Sequence, residues 1–457
     1  MQLPGSFIKA IAHAPGLDKD AFIRVHAEEE KVTSIRLNPL KPVTAGNGDT
    51  GVIGQADKAV PWCPQGYYLP QRPSFTLDPV FHAGAYYVQE ASSMFLWHVL
   101  HSIVPADKQP MRVLDLCAAP GGKSTLLASF FRDSLLVSNE IIKTRAGILV
   151  ENLSKWGQAN VVVTNNDPRD FAKLEGYFDV IVVDAPCSGS GLFRRDPSAI
   201  EEWSEAGVQL CSQRQQRILA DILPALKPGG KLIYSTCSYS PEEDEEIADW
   251  LVDNFAIQNI ALEVPAAWGI VTSTSPQTQS KGYRFYPDKI MGEGFFIAAF
   301  EKTDGHEFTG KKPALSAATK QEIALLNGWL NESEQLFFLK QNDNILAIPA
   351  IWQQDVALLQ KQLYLRKAGV TVGAPKAKDF VPDHQLALSL LISGSIQQVD
   401  LSKEEALAYL RKQDFPTPQG LKGWTLATFD GLQLGWMKVL PNRVNNYYPT
   451  EWRILKN

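Results

Sequence analysis

A chain of 457 residues outgrows a single hydrophobic core, which stops growing at roughly 250–300 residues, so two to four structural units are expected. With 45% apolar and 21% charged residues the composition is that of an ordinary soluble globular protein. No run approaches the ~18–20 consecutive apolar residues of a membrane span, and the start, Met1-Gln2-Leu3-Pro4-Gly5-Ser6, lacks the apolar core of a signal peptide, so a cytoplasmic location is expected. The net charge of −6 argues against a general nucleic-acid binder. It is unevenly spread: residues 361–457 hold 13 Lys/Arg against 8 Asp/Glu, a net of +5, which permits a basic tail on an acidic body. The five cysteines, at 63, 117, 187, 211 and 237, are odd in number and never at CxxC spacing, which argues against a disulfide framework and a zinc ribbon. His98 and His101 stand at i, i+3 without cysteine or carboxylate neighbours and read as the flank of a helix; no metal is expected, and a monomer is the default.

Residues 1–75 predict an opening helix and short strands, closed by a Pro/Trp/Tyr-rich run from Pro61 to Pro70. From about 85 to 101 the chain runs into a helical pattern. The period then changes, and short β-rich runs alternate with longer helical ones: Arg112–Leu116, Leu135–Ser138, Val161–Thr164, Val180–Asp184 and Lys231–Thr236. Such alternation predicts βαβ units, an α/β class and a doubly wound, mostly parallel sheet. Lys227-Pro228-Gly229-Gly230 is expected to stop a helix before the fifth strand. A strand pair is expected over Tyr283–Tyr286 and Gly294–Phe300, a linker over 303–320 and a small α/β unit over 321–365. Near the end, Ser402–Leu410 predicts a helix with Glu405 completing a capping box, among Trp-punctuated strands Gly423–Leu426 and Leu434–Met437.

Three segments carry chemistry. Cys117-Ala118-Ala119-Pro120-Gly121-Gly122-Lys123-Ser124 follows a strand and opens a helix, so its amides can approach a ligand with no side chain between. The Gly-Lys-Ser spelling suggests a P-loop, but Cys117 stands where that motif needs glycine, and no GxGxxG is present. The loop suits a nucleoside with a small charged tail better than a triphosphate. Glu140 ends the second strand, 25 residues after Asp115, where an acid in such folds bonds ribose hydroxyls. Asp167 follows the third strand and Asp184 ends the fourth. Each alone reads equally well as a helix cap or loop carboxylate; three at consecutive strand ends point to a ligand edge.

Asp184-Ala185-Pro186-Cys187-Ser188-Gly189-Ser190-Gly191 and Ser235-Thr236-Cys237-Ser238-Tyr239-Ser240 each place a cysteine just past a strand. If those strands are neighbours, both thiols face one cleft at the carboxyl edge of the sheet. Ser240-Pro241-Glu242-Glu243 is expected to form a capping box that fixes the loop carrying Cys237. A thiolate adding to carbon 6 of cytosine makes carbon 5 nucleophilic, and a second function must then release the enzyme. The bland alternative is two partly buried cysteines.

These blocks, with Tyr87-Val88-Gln89-Glu90 and Gly292-Glu293-Gly294-Phe295-Phe296, resemble the signature segments of the Nop/Sun family of RNA 5-methylcytosine methyltransferases over residues 60–302. The resemblance implies S-adenosylmethionine as cofactor and RNA as partner. It implies Cys237 as the nucleophile, Cys187 as the residue assisting release, Asp184 beside base and cofactor, and Glu140 and Asp167 on the ribose and adenine sides. Residues 117–123 would cradle the cofactor. The tail, with Phe380–Ala387, Gly435–Lys438 and Asn446–Pro449, is similar to the PUA-like domain of bacterial members that act on small-subunit ribosomal RNA. The expected division is 1–75, an N-terminal RNA-facing α+β module; 76–302, a Rossmann-like methyltransferase domain; 303–368, a linker and small intermediate domain; and 369–457, the PUA-like β-rich domain. Arg194-Arg195 and the tail would hold phosphates. Two rivals remain: a DNA cytosine-5 methyltransferase using Cys187, and a non-catalytic RNA-binding ribosome-assembly factor. A dithiol oxidoreductase is more distant.

Overall fold

Short Val/Ile/Leu runs that are apolar on both sides form strands buried on both faces, which is the requirement of a parallel sheet covered by helices. The computed structural model describes residues 2–28, 31–43, 51–105, 107, 110–310, 313–331, 333–376, 379–416 and 418–455. Its centre is five such strands: β1 Arg112–Asp115, β2 Leu135–Asn139, β3 Val161–Thr164, β4 Phe178–Asp184 and β5 Leu226–Thr236. They lie in the order β5-β4-β1-β2-β3 and pair in parallel. Along β4, Val180 and Val182 pack into one apolar layer while Ile181 and Val183 pack into the other. Helices α1 Gly122–Phe130 and α2 Lys143–Trp156 contribute Leu126, Leu149 and Trp156 to the first layer. Helices α3 Glu205–Ile222 and α4 Glu245–Asn254 contribute Leu219 and Leu251 to the second. This is the doubly wound α/β class that the alternation predicts.

Antiparallel strands widen the sheet at both ends. β6 Lys281–Phe285 and β7 Phe295–Lys302 follow β5, with Phe296 opposite Thr236. The register brings Gly292–Phe295 to the same edge as Cys237. At the far end β8 Leu365–Ala368 pairs with β3, so the region after the expected linker completes the central sheet.

Two local expectations are corrected. Lys227–Gly230 does not follow a helix directly: α3 ends at Ile222, a 3₁₀ turn covers Leu223–Ala225, and the Pro-Gly-Gly lies inside β5. The register with β4 shifts there, between Phe178 and Val180, and a shift of this kind accommodates proline and glycine in a strand. Ser240 starts a 3₁₀ turn at Pro241–Glu243 without a capping box: the Glu243 amide donates to the Ser240 carbonyl at 3.0 Å, the Ser240 amide to the Ser238 hydroxyl at 3.0 Å, and the Glu243 carboxylate turns to Ser188.

At the N-terminus, helices Gly5–Ala10 and Lys19–Ala27 precede a sheet in which Thr33–Leu37 lies between Gly66–Leu69 and Tyr86–Val88. This sheet continues past residue 75 and delivers Tyr87–Glu90 to the central domain. Strands Leu336–Gln341, Asn344–Pro349, Val370–Lys376 and Asp379–Pro382 form another sheet, so a division at 368/369 falls within paired strands. The last sheet holds Gly423–Phe429 and Leu432–Leu440, beside the helix Lys403–Arg411 with its Ser402/Glu405 capping box. Among the described residues no helix is long and apolar enough to cross a membrane.

Candidate active site

The loop after β1 is held by its carbonyls and amides rather than by its side chains. Leu116 N–H donates to Val182 O at 2.9 Å and Ala118 N–H to Asn139 O at 2.8 Å. Arg145 Nη2 donates to Ala119 O at 2.7 Å and Asn152 Nδ2 to Pro120 O at 2.8 Å. Gly121 has φ +119°, a region that side-chain-bearing residues rarely adopt, and it sets the turn into α1. Buried Asn139 ties three strand ends together. Its Nδ2 donates to Leu116 O and Asn166 O, and its Oδ1 accepts from Thr164 and the Asn166 amide. Nothing local in the sequence distinguishes Asn139, since its partners lie at the ends of two other strands, β1 and β3.

The acids at the strand ends occupy different surroundings. Asp115 is fully buried and accepts the Ser124 hydroxyl at 2.6 Å; burial pushes its carboxyl up to about 7. Asp184 meets the Lys123 ammonium at 2.8 Å and accepts the Ser235 hydroxyl at 2.8 Å. Burial opposes the charge on Lys123, yet Asp184 and Asp115 hold its ammonium above the usual value. Lys123 also sits 5.2 Å from the Phe295 ring centre. The Glu140 carboxylate accepts the Ile142 amide at 2.9 Å and lies 3.5 Å from Arg145, the residue that holds the loop at Ala119. Asp167 caps the 3₁₀ helix Pro168–Leu174 and pairs with Arg169 at 3.0 Å.

The two thiols meet. Cys187 Sγ and Cys237 Sγ are 3.0 Å apart, from loops that follow neighbouring strands β4 and β5. The bond to Cys237 and burial hold the Cys187 thiol well above its usual value. Beneath them lies Glu243, which the sequence assigns to a cap. Its Oε1 accepts the Ser188 amide at 2.8 Å and Gln215 Nε2 at 3.1 Å, and its Oε2 accepts the hydroxyls of Ser188 at 2.5 Å and Ser238 at 2.6 Å. One carboxylate therefore joins both cysteine loops. A third joint is backbone on backbone: Gly191 N–H donates to Cys237 O at 2.9 Å, and Gly294 N–H to Gly191 O at 3.1 Å. A Cβ on Gly191 would strike the Gly294 carbonyl and lie 2.8 Å from Cys237 O.

Above this base is a cavity of about 280 Å³ lined by Cys117–Pro120, Gly122 and Lys123, with Asp184, Cys237 and Phe295 opposite and Tyr87–Glu90 closing one side. Cys237 borders the cavity, whereas Cys187, Gly121, Glu140 and Asp167 lie outside its lining. A loop of small residues beside a paired lysine and aspartate fits a ligand with a compact charged tail. Arg36 braces the wall: fully buried, it donates to Gln89 Oε1 at 2.8 Å, to Gly122 O at 3.2 Å and to Thr125 Oγ1 at 2.5 Å. Its signal in the sequence is an arginine between Ile35 and Leu37 in the short strand Thr33–Leu37.

Three family descriptions match consecutive parts of the chain: the N-terminal domain of 16S rRNA methyltransferase RsmF over residues 3–91, 16S rRNA methyltransferase RsmB/F over 102–301 and the RsmF PUA domain over 397–454. Ribosomal RNA small subunit methyltransferase F of Cronobacter sakazakii is 30% identical over 475 residues, covering 98% of this chain and 96% of its own. The chain belongs to the ribosomal RNA small subunit methyltransferase F family. As a member of that family it is a methyltransferase. The family enzyme of Shewanella loihica is 29% identical over 473 residues, covering 99% of this chain and 95% of its own. A methyltransferase homolog protein from Pyrococcus horikoshii is 31% identical, with TM-score 0.53, covering 65% of this chain and 94% of its own. NSun6 from the same organism, solved with SFG, is 20% identical with TM-score 0.54 and shares the fold.

Proposed function

We propose that this family member transfers a methyl group from S-adenosylmethionine to carbon 5 of a cytosine in small-subunit ribosomal RNA, with Cys237 as nucleophile and Cys187 as its partner. The observation that carries the reading is the 3.0 Å approach of the two sulfurs with only Cys237 on the cavity wall. A DNA-type reaction through Cys187 is disfavoured by the same placement.

The bound cofactor supplies an electrophilic methyl group on a sulfonium. Residues 117–123 would take its charged tail, with Glu140 and Asp167 on its ribose and adenine sides. Glu140 supports this by fixing Arg145, and through it the Ala119 carbonyl. The target cytosine leaves its stack, at a cost of a few kcal/mol, and enters between Phe295 and Cys237. Asp184, held by Lys123 and Ser235, accepts from the exocyclic amine. Cys237 as thiolate adds to carbon 6, which makes carbon 5 nucleophilic enough to take the methyl group. Release requires loss of the carbon 5 proton and cleavage of the carbon 6–sulfur bond. The Cys187 thiol, kept protonated by its surroundings, gives its proton to the departing Cys237 sulfur and takes the carbon 5 proton in return.

Separate Cys237→Ala and Cys187→Ala variants test the assignment with methyl-tritiated cofactor and unmodified small-subunit ribosomal RNA. The first should transfer nothing and form no adduct; the second should accumulate a protein–RNA complex stable on a denaturing gel. An adduct in the Cys237 variant overturns the assignment. Absence of tritium in RNA with the wild-type chain favours the non-catalytic assembly factor.

A further inference from the structure

Beside the catalytic cavity lies a second one of about 260 Å³, and the two share Val88, Gln89, Glu90, Arg195 and Glu293 as a common wall. Its outer wall comes from the N-terminal module: residues 31–34, at the start of the Thr33–Leu37 strand, and Arg72. Lys31, Arg72 and Arg195 are exposed at its edge, so three cations from two parts of the chain converge on one opening.

The floor carries two carboxylates of different character. Glu90 is committed, accepting the Ser92 and Glu293 amides through Oε1, both at 2.9 Å, and the Ser93 amide through Oε2 at 3.0 Å. Glu293 is 4% exposed, and among the described residues its Oε2 has no hydrogen bond, with Arg194 3.8 Å away. Burial pushes its carboxyl up to about 7, against the pull of Arg194, Arg195 and Lys31. The shared wall is rigid, since Gln89 accepts the Ser34 hydroxyl at its carbonyl, 2.6 Å, and Arg36 at its side chain.

An everted nucleotide drags its flanking phosphates to the mouth of the pocket that receives it. Cations at that mouth neutralise them and position the strand, while a buried carboxylate keeps anions off the floor and leaves it for a hydroxyl or amino donor. We propose that the second cavity is a neighbour-nucleotide subsite, with Lys31, Arg72 and Arg195 on the phosphate and Glu293 facing the sugar or base edge. It rests on the reading of the adjoining cavity as the cytosine site.

The test compares the full-length wild type with Arg72→Ala, Lys31→Ala and the double variant, using tritium transfer to unmodified small-subunit ribosomal RNA. Each single variant should raise KM for RNA about fivefold and the double variant more than tenfold. The slope of log kcat/KM against log salt should flatten by about 0.7–1 per cation removed. The rate at saturating RNA and the cofactor dissociation constant, by calorimetry, should stay within about twofold, and Arg72→Lys should restore most of the salt slope. Unchanged KM and slope in the double variant, with the wild type active, overturn the subsite alone. No transfer by the wild type overturns the cytosine reading, and the subsite with it.

Discussion

Glu243 holds the backbone amide of Ser188 at 2.8 Å and its hydroxyl at 2.5 Å, across 55 positions of sequence. Through Ser238 the same carboxylate holds the loop of Cys237, so the distance between the thiols depends on a residue that touches neither. Hydrogen bonds to a charged group contribute about 1.5–3 kcal/mol each. Glu243→Gln should therefore lower kcat about tenfold or more while the cofactor dissociation constant stays within about twofold. Glu243→Ala should lower it further. Equal kcat in Glu243→Gln and wild type, measured at saturating RNA, would remove the positioning role.

Gly191 packs backbone against backbone on Gly294 and Cys237. Neither neighbour can rotate away as a side chain would, so Gly191→Ala should cost about 1–3 kcal/mol. A lowered thermal midpoint, with slower adduct formation in the Cys187→Ala background, is the expected result.

Lys41 is buried and donates to Ala83 O at 2.8 Å, Lys155 O at 2.6 Å and Leu388 O at 2.7 Å, joining the N-terminal module, α2 and the C-terminal region. Burial pushes its ammonium down to about 7, from 10.5 in the open chain. Between those values the unfolded chain binds more protons than the folded one, so this residue's contribution to stability rises with pH by up to about 1.4 kcal/mol per unit. Lys41→Met leaves three carbonyls without their donor and lacks that slope. Urea titrations should find the variant less stable than the wild type at pH 7.5, with the gap wider at pH 9.

The two outer acids should separate in calorimetry. Glu140→Gln weakens the hold on Arg145 and the Ala119 carbonyl and should raise the cofactor dissociation constant about tenfold. Asp167 caps a helix and pairs with Arg169, so Asp167→Ala should cost about 1 kcal/mol of stability. Its effect on cofactor binding should be smaller than that of Glu140→Gln. The reverse order would place the ligand nearer β3 than β2.

The central strands are legible because their signal is local: runs such as Val161–Thr164 are apolar on both faces and bounded by turns. The capping box at Ser402 is legible for the same reason, its partners being three residues apart. The similar spelling at Ser240 misleads, because Glu243 has better partners in a loop 55 positions earlier. The role of Arg36 beneath the cavity is equally remote from its neighbours in sequence.

By itself, then, the amino-acid order determined where strands end, where the small-residue loop opens a helix and that Cys187 and Cys237 follow strands. Each of these is a short-range matter of backbone freedom and side-chain period. Only the tertiary structure decided that the sulfurs touch, that β8 closes the sheet and that Lys41 joins distant parts of the chain. Those pairings arise from burial and long loop closures, whose energies depend on partners that no local window contains.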